Sequence, residues 1–103
     1  MTASNITTLR EALSASLTAQ HKAAHNLALI KLNLDTEKNK IIAAGVEGKN
    51  AAERDANIEL ALTVETKAYN DAKFKLDEAN LSVALARLEW DAMRYELRLM
   101  EVQ

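Results

Sequence analysis

The chain has 103 residues and a formal net charge of -2, with no proline, no cysteine and only two glycines. This length allows one domain at most, and the lack of cysteine excludes a disulfide framework and a thiolate metal site. The near balance of 13 basic and 15 acidic residues argues against general nucleic-acid binding. No apolar run reaches the roughly 18 residues of a membrane span, and Met1–Asn5 lacks a signal-peptide pattern, so we expect a soluble cytoplasmic protein.

The first predicted element is a helix over about residues 5–44, with Ser4 or Asn5 as its N-cap. Residues recur at intervals of seven, most of them apolar, and each has a companion three positions on. Six heptads of this pattern predict a coiled-coil-like inner seam. The positions are Ile6, Leu13, Gln20, Leu27, Leu34 and Ile41, with Leu9, Ser16, Ala23, Ile30, Glu37 and Ala44 as companions.

Two histidines of this helix, His21 and His25, have the i, i+4 spacing at which imidazoles can share a zinc ion. They fall opposite the inner seam, so the second helix could not readily supply further ligands. Lys22 follows His21 where a metalloprotease motif would have glutamate. We therefore predict solvent-facing or interface histidines and no metal.

A turn is predicted at residues 45–49. Gly45 fits the left-handed position that ends a helix, because glycine has no Cβ to clash there. Asn50 fits an N-cap, and Glu53 could reach back to the N–H of Asn50 as a capping box. Stop and start signals this close together predict an antiparallel hairpin of two long helices.

The second helix is predicted to run unbroken over about residues 50–102. Its own heptad seam should face the first helix, with Trp90 near Leu9, Leu62 near Ile30 or Leu34, and Ile6 opposite about residue 89. The seam residues are Leu62, Tyr69, Leu76, Val83, Trp90 and Leu97, with Ala72, Ala79, Ala86, Met93 and Met100 as companions.

A second apolar face lies on the far side of this helix. A helix that is apolar on two sides is normally buried on both, and the first helix can cover only one. We therefore predict that the hairpin forms a homo-oligomeric helical bundle. Mixed charges beside this face, with Arg87–Asp91 and Arg98–Glu101 able to pair, argue against a membrane surface. The predicted interface comprises Phe74, Leu81, Leu85, Leu88, Tyr95, Leu99 and Val102.

The sequence carries no phosphate loop, nucleophile elbow or paired metal-ligand motif, so we predict neither an enzyme nor a cofactor. One further candidate site lies at the turn, where Lys49, Asn50 and Arg54 stand beside the free N–H groups that open the second helix. An alternative function follows from it: capture of a phosphate-bearing ligand, or a nucleic-acid accessory role, at the tip or between subunits. A structural spacer in a virion is a third interpretation.

The segment Gly48–Arg54 resembles a Gly-Lys-Asn-x-x-x-Arg-like signature that joins two long helices in a loose group of small bacteriophage and prophage proteins. The resemblance implies a phage origin, action inside the infected bacterium, and binding of a host or phage factor, including defence systems. It implies no catalytic residues. The favoured prediction is an oligomeric protein-binding module whose partners are itself and such a factor.

Overall fold

The computed structural model describes residues 3–102 as three helices: α1 (Ala3–Ala44), α2 (Ala51–Ala61) and α3 (Thr63–Val102). The two long helices, α1 and α3, pack against each other, as in the predicted hairpin. Because α1 already begins at Ala3, Ser4 and Asn5 lie inside it, and the N-cap prediction is wrong. Serine and asparagine cost at most about 0.7 kcal/mol more than alanine inside a helix, so neither residue by itself stops one. The side chain of Val102 lies outside the described part of the chain.

The chain divides into two compact units. Unit 1 combines residues 1–24 with residues 75–103, and unit 2 is the continuous stretch of residues 25–74.

In unit 1, the inner seam is the buried or half-buried face of each helix, as predicted. Val83 and Met93 are the most enclosed, each with 3% of its surface exposed, whereas Met100 is exposed and does not belong to the seam. The half-buried positions are Ile6, Leu9, Leu13, Ser16, Gln20 and Ala23 on α1, and Leu76, Ala79, Ala86, Trp90 and Leu97 on α3.

One side-chain hydrogen bond marks the register of unit 1. Gln20 Nε2 donates to Asn80 Oδ1 over 2.7 Å. Fourteen residues away on each helix, Ile6 is therefore level with Arg94 and not with residue 89. The predicted register, with Ile6 opposite residue 89, would leave Leu97 beyond the first helix without cover, but Leu97 is half-buried. The predicted register assumed that both helices run unbroken from the turn, whereas the returning chain is broken at Leu62.

In unit 2, Leu62 and Ala72 are buried, with 5% and 2% of their surfaces exposed. Leu34 and Leu62 line the same groove, which agrees with the prediction that Leu62 lies near Ile30 or Leu34. The half-buried positions continue both seams: Leu27, Ile30, Leu34, Glu37 and Ile41 on α1, with Ile58, Glu65 and Tyr69 on the returning chain.

The tip of unit 2 uses both glycines at positive φ, 92° at Gly45 and 155° at Gly48. The N–H of Gly45 donates to the carbonyl of Ile42 over 3.2 Å and closes α1. The side chain of Asn50 accepts the N–H of Glu53 over 2.8 Å, which confirms the N-cap. Glu53 Oε2 in turn accepts from the N–H of Lys49 over 3.3 Å, and not from that of Asn50 as predicted. The extended backbone of Asn50, with φ -148°, accompanies this one-residue shift.

The second helix is broken at Leu62, contrary to the prediction of one helix over 50–102. Leu62 has φ -105° and ψ 18°. Its N–H is shared between the carbonyls of Ile58 and Glu59, over 3.1 and 3.2 Å. The hydroxyl of Thr63 donates to the carbonyl of Leu60 over 2.8 Å. A threonine that bonds back to the preceding turn competes with the regular ladder and bends the helix.

Candidate interaction surface

The outer stripe of α3 is the face of unit 1 that carries exposed apolar side chains. We define it by Leu81, Leu85, Leu88, Ala92, Tyr95 and Leu99. Its five large side chains keep between 48% and 65% of their surfaces exposed on the single chain. Successive members are separated by four and three residues in alternation, which places them along one side of a helix.

The outer stripe points away from the inner seam. Val83 and Met93, which lie between its members in sequence, are buried, whereas Leu81, Leu85 and Leu88 are exposed. The first helix therefore leaves this face uncovered, as the second apolar periodicity predicts. Whether a partner covers it stays a prediction, as does the role of Phe74, which is 63% exposed at the end of unit 2.

Charged side chains flank the outer stripe on both sides. The predicted pairs Arg87–Asp91 and Arg98–Glu101 are not formed, since within residues 3–102 the ion pair present is Lys40–Glu37 at 3.2 Å. In a single α-helix such surface pairs contribute only a few tenths of a kcal/mol, too little to hold long side chains in one rotamer. The flanking charges are therefore available to a partner.

At the tip, the chain itself occupies several of the groups that an anion would use. The side-chain oxygen of Asn50 accepts a hydrogen bond from the backbone N–H of Glu53, and the carboxylate of Glu53 accepts one from the backbone N–H of Lys49. The side chain of Asn57 donates to the carbonyl of Glu47 over 2.7 Å. Lys49 and Arg54 are exposed. A carboxylate already placed at the helix N-terminus competes with any added anion, so the phosphate-capture alternative stays a prediction without structural support.

A groove of about 600 Å³ in unit 2 was missed by the sequence analysis. It lies beside the break at Leu62. Its apolar lining is Leu34, Ile58 and Leu62, and its charged lining is Asp35, Glu59, Lys38 and Lys67. The β-branched pair Thr63-Val64 was the available signal for a helix break here. Because acidic and basic side chains both line the groove, its charge selects no particular ligand.

His21 and His25 are both exposed. Within the part of the chain that the structure describes, no three or more histidine, cysteine or acidic side chains come together as a metal site would require. The helices of the same residues contain no apolar stretch of the length that spanning a bilayer requires.

Comparison with family models, curated proteins and solved structures finds no match to this chain.

Proposed function

We propose that this chain is a non-enzymatic oligomeric protein that works by binding other proteins, and that the outer stripe is its self-association surface. One observation carries the proposal: the five large side chains of the stripe are about half exposed or more on the single chain. Burial of a fully exposed side chain of this kind is worth about 1.5–3 kcal/mol, so burial of the half that remains exposed here is worth about 0.8–1.5 kcal/mol. Five of them per subunit can offset an association cost of about 4–15 kcal/mol.

The cellular setting in this proposal rests on the resemblance of Gly48–Arg54 to the turn signature of small phage proteins. We propose action in the cytoplasm of an infected bacterium, on a host or phage factor that includes components of defence systems. A helical hairpin suits such binding, because a long helix surface can contact a protein partner along its length.

Sedimentation velocity at low micromolar concentration tests the self-association. The wild-type chain should sediment as a folded oligomer, whereas the triple variant Leu85→Asp, Leu88→Asp, Leu99→Asp should be a monomer of 11.4 kDa. The matched control is Leu29→Asp with Leu32→Asp, since both residues are exposed leucines of α1 outside the stripe. A folded wild-type monomer would refute the proposal, and dissociation of the control would place the interface elsewhere.

The same variants test protein binding. Each is immobilised and exposed to lysate from an expressing or infected bacterium, and captured proteins are compared by mass spectrometry. The proposal expects at least one protein retained by the wild type and by the control pair. If the wild type and a scrambled helical peptide retain the same proteins, the binding function is wrong.

A further inference from the structure

The outer stripe has the geometry of a second coiled-coil seam. We assign Leu85 to heptad position a. The a positions of the stripe are then Leu85, Ala92 and Leu99, and the d positions are Leu81, Leu88 and Tyr95. Glu78 occupies the a position one heptad earlier. Positions e and g, which flank such a seam, carry the charges that decide orientation and register. They hold Lys75, Glu89 and Glu96 at e, and Asp77, Asp91 and Arg98 at g.

A parallel pairing of two stripes places like charges together. In parallel coils, a g residue faces the e residue of the next heptad on the partner, so Asp91 would face the partner's Glu96. Glu78 would also face the partner's Glu78 inside the seam. The Glu78 contact lies inside the seam, where an unpaired carboxylate is costly, and the contact of Asp91 with the partner's Glu96 adds like-charge repulsion at the flank.

An antiparallel pairing has one register that avoids these contacts. In antiparallel coils, a faces d, e faces e, and g faces g. A two-fold axis between Ala86 and Arg87 sets Leu85 against the partner's Leu88, Leu81 against the partner's Ala92, and Glu78 against the partner's Tyr95. The phenol of that tyrosine can donate to the carboxylate.

The flanking charges in this register are complementary. Asp77 faces the partner's Arg98, and Lys75 faces the partner's Glu96, so the two-fold axis yields four opposite-charge pairs. Moving the two-fold axis toward the C-terminus by a shift of one heptad sets Asp91 against the partner's Asp91. A shift of one heptad in the other direction sets Asp77 against the partner's Asp91. A further heptad in the first direction sets Glu89 against the partner's Glu96. Two of these shifts also form opposite-charge pairs, Lys75 with Glu89 or Asp91 with Arg98, but only in the same number as their like-charge pairs. The axis between Ala86 and Arg87 gives four opposite-charge pairs and no like-charge pair, so the flanking charges favour it over each neighbouring register.

We infer that the outer stripe binds a second copy of itself in the antiparallel direction, with the two-fold axis between Ala86 and Arg87. This inference rests on the proposed self-association and names its partner surface, orientation and register. The side chains of Asp77 and Arg98 are exposed and lack an ion-pair partner within the described chain, so they are free to meet the second copy.

Two distance measurements test the orientation. The chain has no cysteine, so Arg87→Cys and Glu101→Cys each give one spin label per chain, at exposed positions of α3 outside the outer stripe. With a rise of about 1.5 Å per residue, the Glu101 labels should lie about 44 Å apart along the axis, whereas the Arg87 labels should be nearly level. A parallel dimer would give short distances at both sites. An antiparallel dimer shifted by two heptads so that Glu89 faces the partner's Glu96 would give about 20 Å axial separation at both sites.

A charge-reversal cycle tests the register independently. Asp77→Arg alone and Arg98→Asp alone should each weaken dimerisation by about three- to tenfold at low salt, and the double variant should recover affinity to within about twofold. Residues 77 and 98 lie far apart in a parallel dimer, so no recovery would occur there. The control Asp91→Arg should change affinity little, because position 91 faces the partner's Ala84.

The outcomes separate the two proposals. A dimer with the expected pair of distances and a restored double variant supports the inference. A dimer with equal distances at both sites, or one that Asp91→Arg tightens strongly, overturns the inference and leaves self-association standing. A folded monomer at all concentrations overturns both.

Discussion

Gly48→Ala should be the most damaging single methyl addition in the tip. Gly48 has φ 155°, and a Cβ there would lie 2.6 Å from Cγ and 2.8 Å from the backbone nitrogen of Arg54. The side-chain atom can move, but the nitrogen belongs to the first turn of α2 and donates to the carbonyl of Asn50 over 3.0 Å. Relief of the contact must therefore disturb the capped start of α2.

The magnitude follows from two contributions. An alanine at this backbone conformation costs about 1–3 kcal/mol, and a weakened N-cap costs about 1 kcal/mol more. Gly45→Ala is the matched control, because its φ is also positive, at 92°, but nothing lies within 4 Å of a Cβ there. We expect about 1–2 kcal/mol for the control, from the backbone alone.

Urea and thermal unfolding followed by circular dichroism measure both variants. Protein concentration must be held constant, because association adds to apparent stability. A loss of 2 kcal/mol or more should lower Tm by about 8 °C or more for a chain of this size. Equal destabilisation by the two alanines would refute the reasoning, since it would mean that the contact with Arg54 contributes nothing.

Three further outcomes are expected. Asn50→Ala should lower the free energy of unfolding by about 1 kcal/mol through loss of the N-cap, and Asn50→Asp should retain most of it in the same urea titration. Val83→Ala should cost about 2 kcal/mol because it opens a cavity in the inner seam, and a loss below about 0.5 kcal/mol in urea unfolding would contradict that burial. Thr63→Ala should reduce the bend at Leu62, seen as an increased spin-label distance between exposed sites on α2 and on α3 of unit 2, whereas Thr63→Ser should keep the bend.

The sequence by itself determined the helical class, the hairpin turn and the two seams. Heptad spacing is a local property, and it predicted the burial of residues such as Leu13, Val83 and Met93 without knowledge of their partners. The left-handed Gly45 and the capping Asn50 were likewise predictable, because their conformations depend on chemistry within a few residues.

Only the tertiary structure decided the break at Leu62, the register and the requirement for glycine at position 48. The break depends on the sharing of the Leu62 N–H between two carbonyls, the register on the hydrogen bond between Gln20 and Asn80, and the need for glycine on how closely the chain passes Arg54. Each is a contact between groups whose distance the heptad pattern does not set. The exposure of the outer stripe depends on both the sequence and the tertiary structure. Sequence periodicity predicts the stripe, and the packing shows that α1 leaves it uncovered.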